Sequence, residues 1–289
     1  MIITCPSGLA GEVRALKVRE LQQLGDASLA RGGRNLDIML GMMTAITDPG
    51  PYPWEVGARP NWDAVLSGDR FAALIDIRCA TWGADYEFTI PCAECGEPIP
   101  WELDLRELPR TAFPAETLAQ LTDGGKNEFS CAGPAGEIVR FKLLNGADEK
   151  AIDAHRRQNN GRFGIGDGLV RKILGVDELK DAKVREWIYD LDAQPARALL
   201  ERMQLVEGGV ETDIEIVCKD VGCMWRQWVS LPFGRAFYVP PKKRPVRAIA
   251  QEAGSTAAPA PQAAAATTAG ATSHGHAKGA STSPARKTG

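Results

Sequence analysis

Residues 92–95 read Cys-Ala-Glu-Cys, and residues 218–223 read Cys-Lys-Asp-Val-Gly-Cys. Each cysteine pair lies between two runs in which apolar and polar residues alternate, which is the period of a half-buried β-strand. The first two runs cover residues 86–90 and 99–105, and the second two cover residues 212–217 and 224–231. The sequence therefore predicts two β-hairpins, each with a cysteine pair at its turn.

Two thiolates on one tight turn suit a metal ion, because tetrahedral zinc takes four soft ligands and such a turn presents two. The spacings C-x₂-C and C-x₄-C lie within the range found in zinc sites. We therefore predict a split zinc-ribbon-like unit with one structural zinc ion, which would also close a long loop of the chain and favour folding. The expected ligands are Cys92, Cys95, Cys218 and Cys223.

The charge of the chain is unevenly placed along its 289 residues, 44% of which are hydrophobic. From residue 242 onward seven lysine and arginine residues face one glutamate, a formal charge of +6. The preceding residues carry 27 basic and 36 acidic side chains, a formal charge of −9. An acidic folded part argues against a nucleic-acid partner, since phosphate binding needs a basic surface.

The compartment follows from the apolar runs and the cysteines. No run approaches the roughly 20 apolar residues that span a bilayer, so we expect no membrane association. The first residues lack the basic region and apolar stretch of a signal peptide, which predicts synthesis in a reducing cytoplasm. The cysteines outside the two turns are Cys5, Cys79 and Cys131, and the helical apolar pattern around Cys79 makes it a small core residue.

The composition predicts a mixed α+β fold in four parts. Residues 1–85 form an N-terminal strand and helix region, and residues 86–109 with 210–241 form the split zinc-ribbon-like unit. Residues 110–209 form an inserted hairpin and helical region. Residues 242–289 are dominated by Ala, Thr, Ser, Gly and Pro, which predicts a disordered low-complexity tail.

Local patterns predict the elements of the first three parts. Residues 2–24 indicate an extended segment followed by strand or loop, and residues 27–47 indicate a helix with a methionine-rich apolar stripe that packs in the core. The clearest helix opens at Ser67 and ends at Gly83. A hairpin follows over residues 128–131 and 137–144, and residues 147–206 are helical in character.

A catalytic role finds little support among the residues. His155 lies in a charged helix, where a solvated surface position is the better interpretation. The glycines of residues 164–168 mimic a phosphate-binding loop, but no strand precedes them, so we expect a flexible helix connection. Glu102 and Asp104 alternate along a strand and share one solvated face. Four thiolates would close the zinc shell and leave no position for a reacting water, which predicts a non-enzymatic protein.

Several stretches resemble the T4-type phage baseplate hub assembly protein family, over residues 1 to about 240. The stretches that carry the resemblance are Gly8-Leu9-x-Gly11-x-Val13-Arg14, Gly68-Asp69-Arg70-Phe71, Ile77-Arg78-x-Ala80-Thr81-x-Gly83-x-x-Tyr86-x-Phe88, Trp101-Glu102-Leu103-Asp104-Leu105 and Leu143-Leu144-x-Gly146-Ala147-Asp148-Glu149. The second turn departs from the resemblance, because C-x₄-C stands where C-x₂-C is expected. The tail lies outside it.

The resemblance implies a structural or assembly protein of a tailed phage, with other tail and baseplate hub proteins as partners and no catalysis. It places the chain in the host cytoplasm during assembly. Whether the protein stays in the virion baseplate or leaves as an assembly chaperone is open, as is its oligomeric state. The alternative is a zinc-ribbon module that binds nucleic acid, against which the acidic residues of the two hairpins argue.

Tryptophans mark the surface where such partners would bind. Trp225 and Trp228 are three apart, so on one regular strand they face opposite sides, which predicts that one packs into the ribbon and the other is exposed. Trp54 and Trp62 lie in a proline-rich loop that either folds back over the core or joins an exposed ribbon tryptophan in an assembly surface.

Overall fold

The computed structural model describes residues 1–26, 34–122 and 126–240. Over these residues the chain forms both helices and antiparallel strands, which confirms the mixed α+β fold class. The predicted disordered tail and the start of the predicted helix over residues 27–47 lie outside the described residues. The four-part division of the chain stays a prediction.

The N-terminal region is built on a three-stranded antiparallel sheet with the order β1-β2-β3, covered by helices. Its elements are β1 (Ile2–Thr4), β2 (Ala10–Val13), α1 (Val18–Leu24), α2 (Arg34–Leu40), β3 (Met43–Asp48) and α3 (Ser67–Trp82).

Two predictions for this region are wrong in part. The helix predicted to run to residue 47 ends at Leu40, and residues 43–48 are the strand β3. Met43 and Ile46 are three apart, as on a helix, but both are buried on the sheet because pairing with β2 outweighs the local pattern. Residues 18–24, expected as strand or loop, form the helix α1. The methionine stripe packs in the core as predicted, since Met39 and Met43 are buried.

The helix α3 is confirmed at both ends and lies at the centre of the largest apolar core. It begins at Ser67 and is followed by Gly83. Gly83 has a φ of 87°, a backbone conformation that glycine adopts without the steric penalty of a side chain. At its first turn the backbone of Gly208 comes so close that a Cβ on Gly68 would lie 1.9 Å from the Gly208 carbonyl oxygen. Position 68 therefore has room for glycine alone where α3 approaches the segment around Gly208.

The first cysteine hairpin follows α3 as predicted. It consists of β4 (Asp85–Pro91) and β5 (Pro98–Asp104), paired in register from Asp85 with Asp104 to Pro91 with Pro98.

An inserted region then forms a second apolar core. Its elements are β6 (Arg110–Thr111), α4 (Ala115–Thr122), β7 (Phe129–Ala132), β8 (Ile138–Phe141), α5 (Gly146–Gln158), α6 (Ile165–Lys172), β9 (Ile173–Val176), α7 (Asp181–Asp190), α8 (Ala193–Gln204) and β10 (Gly209–Val210). The predicted hairpin is confirmed as β7 and β8. The prediction of helix throughout residues 147–206 is wrong at β9, which pairs with β8 as the third strand. Its four residues are too few for the period to distinguish strand from helix.

The second cysteine hairpin confirms the last prediction. It consists of β11 (Asp213–Val217) and β12 (Arg226–Ser230), and a short helix, α9 (Arg235–Tyr238), follows it. Aromatic residues around α9 hold the base of both hairpins. The Tyr86 hydroxyl donates to the Pro232 carbonyl oxygen, and the Tyr86 and Phe237 rings meet edge to face at 5.4 Å between centroids.

One fully buried carboxylate joins the N-terminal sheet, the proline-rich loop and α3. Asp69 accepts hydrogen bonds from the backbone N–H of Ser7 at 2.9 Å, from the Ser7 hydroxyl, and from the Tyr52 hydroxyl at 2.6 Å. Burial raises the pKa of Asp69 above its ordinary value, although these hydrogen bonds act in the opposite direction. Ionisation of Asp69 therefore costs more free energy in the folded protein than in the unfolded chain.

Replacement of Asp69 by asparagine tests this cost. Because the folded-state pKa of Asp69 is raised, the stabilisation that its neutral form gives is complete below the unfolded pKa and is lost as pH rises through the folded pKa. We expect Asp69→Asn, which cannot ionise, to gain stability relative to the native chain as pH rises from about 4 towards neutrality. Urea unfolding of both proteins at several pH values measures the difference. A difference that moves in the opposite direction would contradict the raised pKa.

Candidate metal centre

The two cysteine turns share one backbone arrangement. In each, the N–H of the first cysteine donates to the carbonyl oxygen of the second residue after the last cysteine. The bond is 2.8 Å long from Cys92 to Glu97 and 2.8 Å from Cys218 to Trp225. The residue that follows the last cysteine has a positive φ in both turns, 78° at Gly96 and 52° at Met224. The extra residues of the C-x₄-C turn therefore leave its ends in the same geometry as the C-x₂-C turn.

The four predicted ligands converge. The sulfur atoms of Cys92, Cys95, Cys218 and Cys223 all lie within 4.8 Å of one another. The Sγ atoms of Cys92 and Cys223 are 3.8 Å apart, and those of Cys95 and Cys218 are 3.7 Å apart. These distances far exceed the roughly 2.05 Å of a disulfide. The cluster is close enough to hold one metal ion between its four sulfurs.

The cluster lies at the tip of a small apolar core shared by both hairpins. Ile99 and Ile216 are almost completely buried beneath it, and Cys92 and Cys218 are buried with them. Cys95 is exposed and Cys223 is half-buried, so the site is partly open to solvent. The ligands are thus held by the packing of the hairpins, and an ion could enter from solvent.

The surroundings of the sulfurs shift the pKa values of Cys92 and Cys223 in opposite directions. The N–H groups of Cys95 and Glu94 lower the pKa of Cys92 to about 7, since they stabilise its thiolate. The N–H of Trp225 acts in the same sense on Cys223, but burial and the three neighbouring cysteines together outweigh it and raise the pKa of Cys223 to about 12. Four thiolates cannot share this space without a cation to neutralise them.

A glutamine outside the cysteine turns links the two hairpins. Gln227 on β12 accepts a hydrogen bond from the N–H of Ala93 at 2.7 Å, and its Nε2 donates to the Pro91 carbonyl oxygen at 3.2 Å. Both acceptor and donor of its amide are therefore used by the other hairpin. No motif in the sequence points to Gln227, whose one signal is an amide side chain on the inward side of a strand.

The other three cysteines lie apart from this cluster. Cys5 is buried, Cys79 and Cys131 are half-buried, and burial raises the pKa of each thiol, to about 11 for Cys79. Cys79 packs against the main core, as predicted.

The prediction that either Trp225 or Trp228 packs into the ribbon is wrong, because both are exposed, by 47% and 71%. The reason is local. Trp225 precedes β12 and follows Met224, whose positive φ interrupts the strand, so the alternation of faces does not reach it. In the proline-rich loop, Trp54 and Trp62 pack against the main core, which fits the interpretation that this loop folds back over it.

His155 and the glycine-rich residues 164–168 both make hydrogen bonds within the helical region. His155 is half-buried rather than fully solvated, with its Nε2 2.8 Å from the Asn159 amide nitrogen and 3.4 Å from an Asp167 carboxylate oxygen. The expectation of a flexible connection at residues 164–168 is wrong beyond Gly164, because α6 begins at Ile165 and Asp167 accepts a hydrogen bond from the N–H of Gly164.

The fold and the cluster define a mixed α+β chain with a split ribbon and a four-cysteine site. Comparison of the chain with protein-family models, curated proteins and solved structures found no match. Among the described residues, no helix combines the length and the apolar character needed to cross a membrane.

The bridge made by Gln227 has a measurable share in holding the ribbon. We expect Gln227→Ala to lower the free energy of unfolding by about 1 kcal/mol, because it removes two hydrogen bonds between the hairpins, whose exposed backbone partners then bond to water. The matched control is Arg226→Ala on the same strand, whose ion pair with Glu215 is exposed and long at 3.4 Å. Equal losses in the two variants would show that the bridge has no special role.

Proposed function

We infer that this chain is a non-enzymatic structural or assembly protein that binds other proteins through a zinc-clamped split ribbon. The observation that carries the proposal is the convergence of four sulfurs from turns more than a hundred residues apart. A site with four thiolate ligands is coordinatively closed, so its metal would stabilise the fold rather than activate water.

Zinc is the metal that the sulfur positions favour. A tetrahedral ion with sulfur ligands at about 2.3 Å places those sulfurs about 3.8 Å apart. Here the sulfurs of Cys92 and Cys223 are 3.8 Å apart, and those of Cys95 and Cys218 are 3.7 Å apart. Thiolate sulfur is also a soft ligand, which favours zinc over magnesium or calcium.

Metal analysis of the purified full-length protein tests this part of the proposal. We expect one zinc ion per chain and sulfur–zinc distances of about 2.3 Å in X-ray absorption spectra. The double variant Cys95→Ser/Cys223→Ser, with one change in each turn, should lose the ion. The control Cys131→Ser, in a half-buried cysteine outside the cluster, should retain it. A native protein that folds without metal at these cysteines would contradict the clamp.

The outer side of the second hairpin supports a protein-binding role. Four large apolar side chains are exposed on or beside it: Val221, Met224, Trp225 and Trp228. Trp228 projects from β12 directly opposite Glu215 on β11, and Asp213 lies on the same exposed face. An exposed tryptophan between carboxylates suits a partner that offers an apolar contact together with lysine or arginine side chains.

Trp228 is the residue whose loss separates assembly from folding. We expect Trp228→Ala to weaken partner binding by about 2 kcal/mol or more while leaving the melting temperature unchanged, since the side chain is 71% exposed. Co-purification with phage tail proteins measures the binding. Leu205→Ala is the matched control, since Leu205 is an apolar residue 75% exposed at the end of α8. Unchanged co-purification of Trp228→Ala would remove this surface from the proposal.

The resemblance described above supports placing the protein in the baseplate hub of a tailed phage. Mass spectrometry of purified phage particles distinguishes a virion component from a chaperone that leaves during assembly. Absence of the chain both from particles and from complexes with tail proteins would overturn this assignment without affecting the zinc clamp.

Nucleic-acid binding is the second candidate function, because zinc-binding ribbons can serve it. The exposed charges of the two hairpins oppose it: Glu94, Glu97, Glu102, Asp213 and Glu215 against Lys219 and Arg226. Salt-sensitive retention on DNA or RNA that is lost in Lys219→Ala/Arg226→Ala would favour it over protein binding.

A further inference from the structure

A pocket of about 230 Å³ lies beside the proline-rich loop, on the border of the two large cores. Its lining combines aromatic, proline, leucine and asparagine side chains, among them Tyr52, Trp54, Leu66 and Asn145. Pockets for drug-sized ligands are typically about 300–1,000 Å³. The volume therefore suits one or two side chains of a protein segment better than a nucleotide or a large cofactor.

The two rings of the pocket are held in place before any ligand arrives. Tyr52 and Trp54 stack at 4.6 Å between centroids, with their planes only 7° apart. The Tyr52 hydroxyl donates to buried Asp69 at 2.6 Å and accepts a hydrogen bond from the N–H of Leu66 at 3.1 Å. A segment that binds these rings would thus cost little rearrangement of the protein.

Two side-chain hydrogen-bond donors of the pocket have no partner among the described residues. The Trp54 indole N–H is one, and the Asn145 amide Nδ2 is the other. Only the oxygen of the Asn145 amide is used within the protein. Its Oδ1 accepts a hydrogen bond from the N–H of Asp148 at 3.1 Å and so caps α5. Asn127, by contrast, uses both ends of its amide on the backbone of Leu143. Trp54 and Asn145 are therefore free to bind acceptors of a ligand.

We propose that this pocket binds a proline-rich segment of a partner protein in the polyproline II conformation. Such a segment has no internal hydrogen bonds, so its carbonyl oxygens need external donors, which Trp54 and Asn145 supply. Its proline rings pack on flat aromatic side chains, as in other proline-recognition grooves. No charged side chain is among the described residues that line the pocket, which favours a neutral ligand over a phosphate or carboxylate.

The site is separate from the metal clamp and from Trp228, so its test does not depend on either. The probe is a deca-proline peptide with blocked ends, titrated into the full-length protein, with a glycine-serine peptide of equal length as the negative control. Binding is measured by calorimetry and by the indole N–H resonances. The Trp54 resonance is assigned as the one missing in Trp54→Phe. We expect deca-proline to bind and to shift this resonance, because the indole N–H exchanges water for a peptide carbonyl.

Two matched variants locate the site. Trp54→Phe keeps an aromatic ring but removes the N–H, and Asn145→Asp keeps an acceptor that caps α5 but removes the donor. We expect each to weaken deca-proline binding about threefold to tenfold, the loss of one hydrogen bond. Leu205→Ala, an exposed position outside the pocket, should bind as the native chain does. Failure of deca-proline to bind, binding equal to that of the glycine-serine peptide, or unchanged affinity in both pocket variants would overturn the proposal.

Discussion

The structure depends on holding together two hairpins that the chain makes far apart. Cys95 and Cys218 are separated by 123 positions, yet their sulfurs lie 3.7 Å apart. Bringing such distant segments together costs loop entropy that no local contact repays, so the contacts between the hairpins must supply it. They do so at two levels, through the cysteine cluster and Gln227 at the tip and through aromatic packing at the base. The inserted region can then form its own core, with its two ends fixed.

Local sequence patterns predicted the elements whose conformation is set by nearby residues. The alternation around the cysteine turns located both hairpins, and the spacing at Ser67 and Gly83 located α3. The four cysteines followed from ligand chemistry alone, although the pairing of the two turns could only be inferred. The errors lie where distant pairing decides. Strands β3 and β9 take their conformation from β2 and β8, contacts that no short window of sequence contains.

The exposure of Trp225 and Trp228 also could not be predicted from a local sequence pattern. The alternation rule assumes a regular strand, and Met224 has a positive φ that a methionine adopts only under constraint. Gly96 has a positive φ at the equivalent position of the first turn, so this conformation belongs to the geometry that both turns share and not to the C-x₄-C spacing. The exposure of Trp225 thus follows from the shape of the cysteine turn. The donors of the proline-rich loop escaped the sequence analysis for a related reason, since only the folded chain shows which polar groups remain unpaired.

The two levels of the ribbon differ in what they need from solution. The base is held by apolar and aromatic contacts and by a hydrogen bond to a backbone carbonyl, none of which depends on a bound ion. At the tip, four sulfurs lie within 4.8 Å of one another, and negative charges on them would repel. A bound cation would replace this repulsion with attraction, which makes the tip the ion-dependent part of the described ribbon. The exposed apolar residues Val221, Met224 and Trp225 belong to that tip. A bound ion would therefore fix the shape of the surface that the partner would contact, whereas the contacts at the base do not involve it.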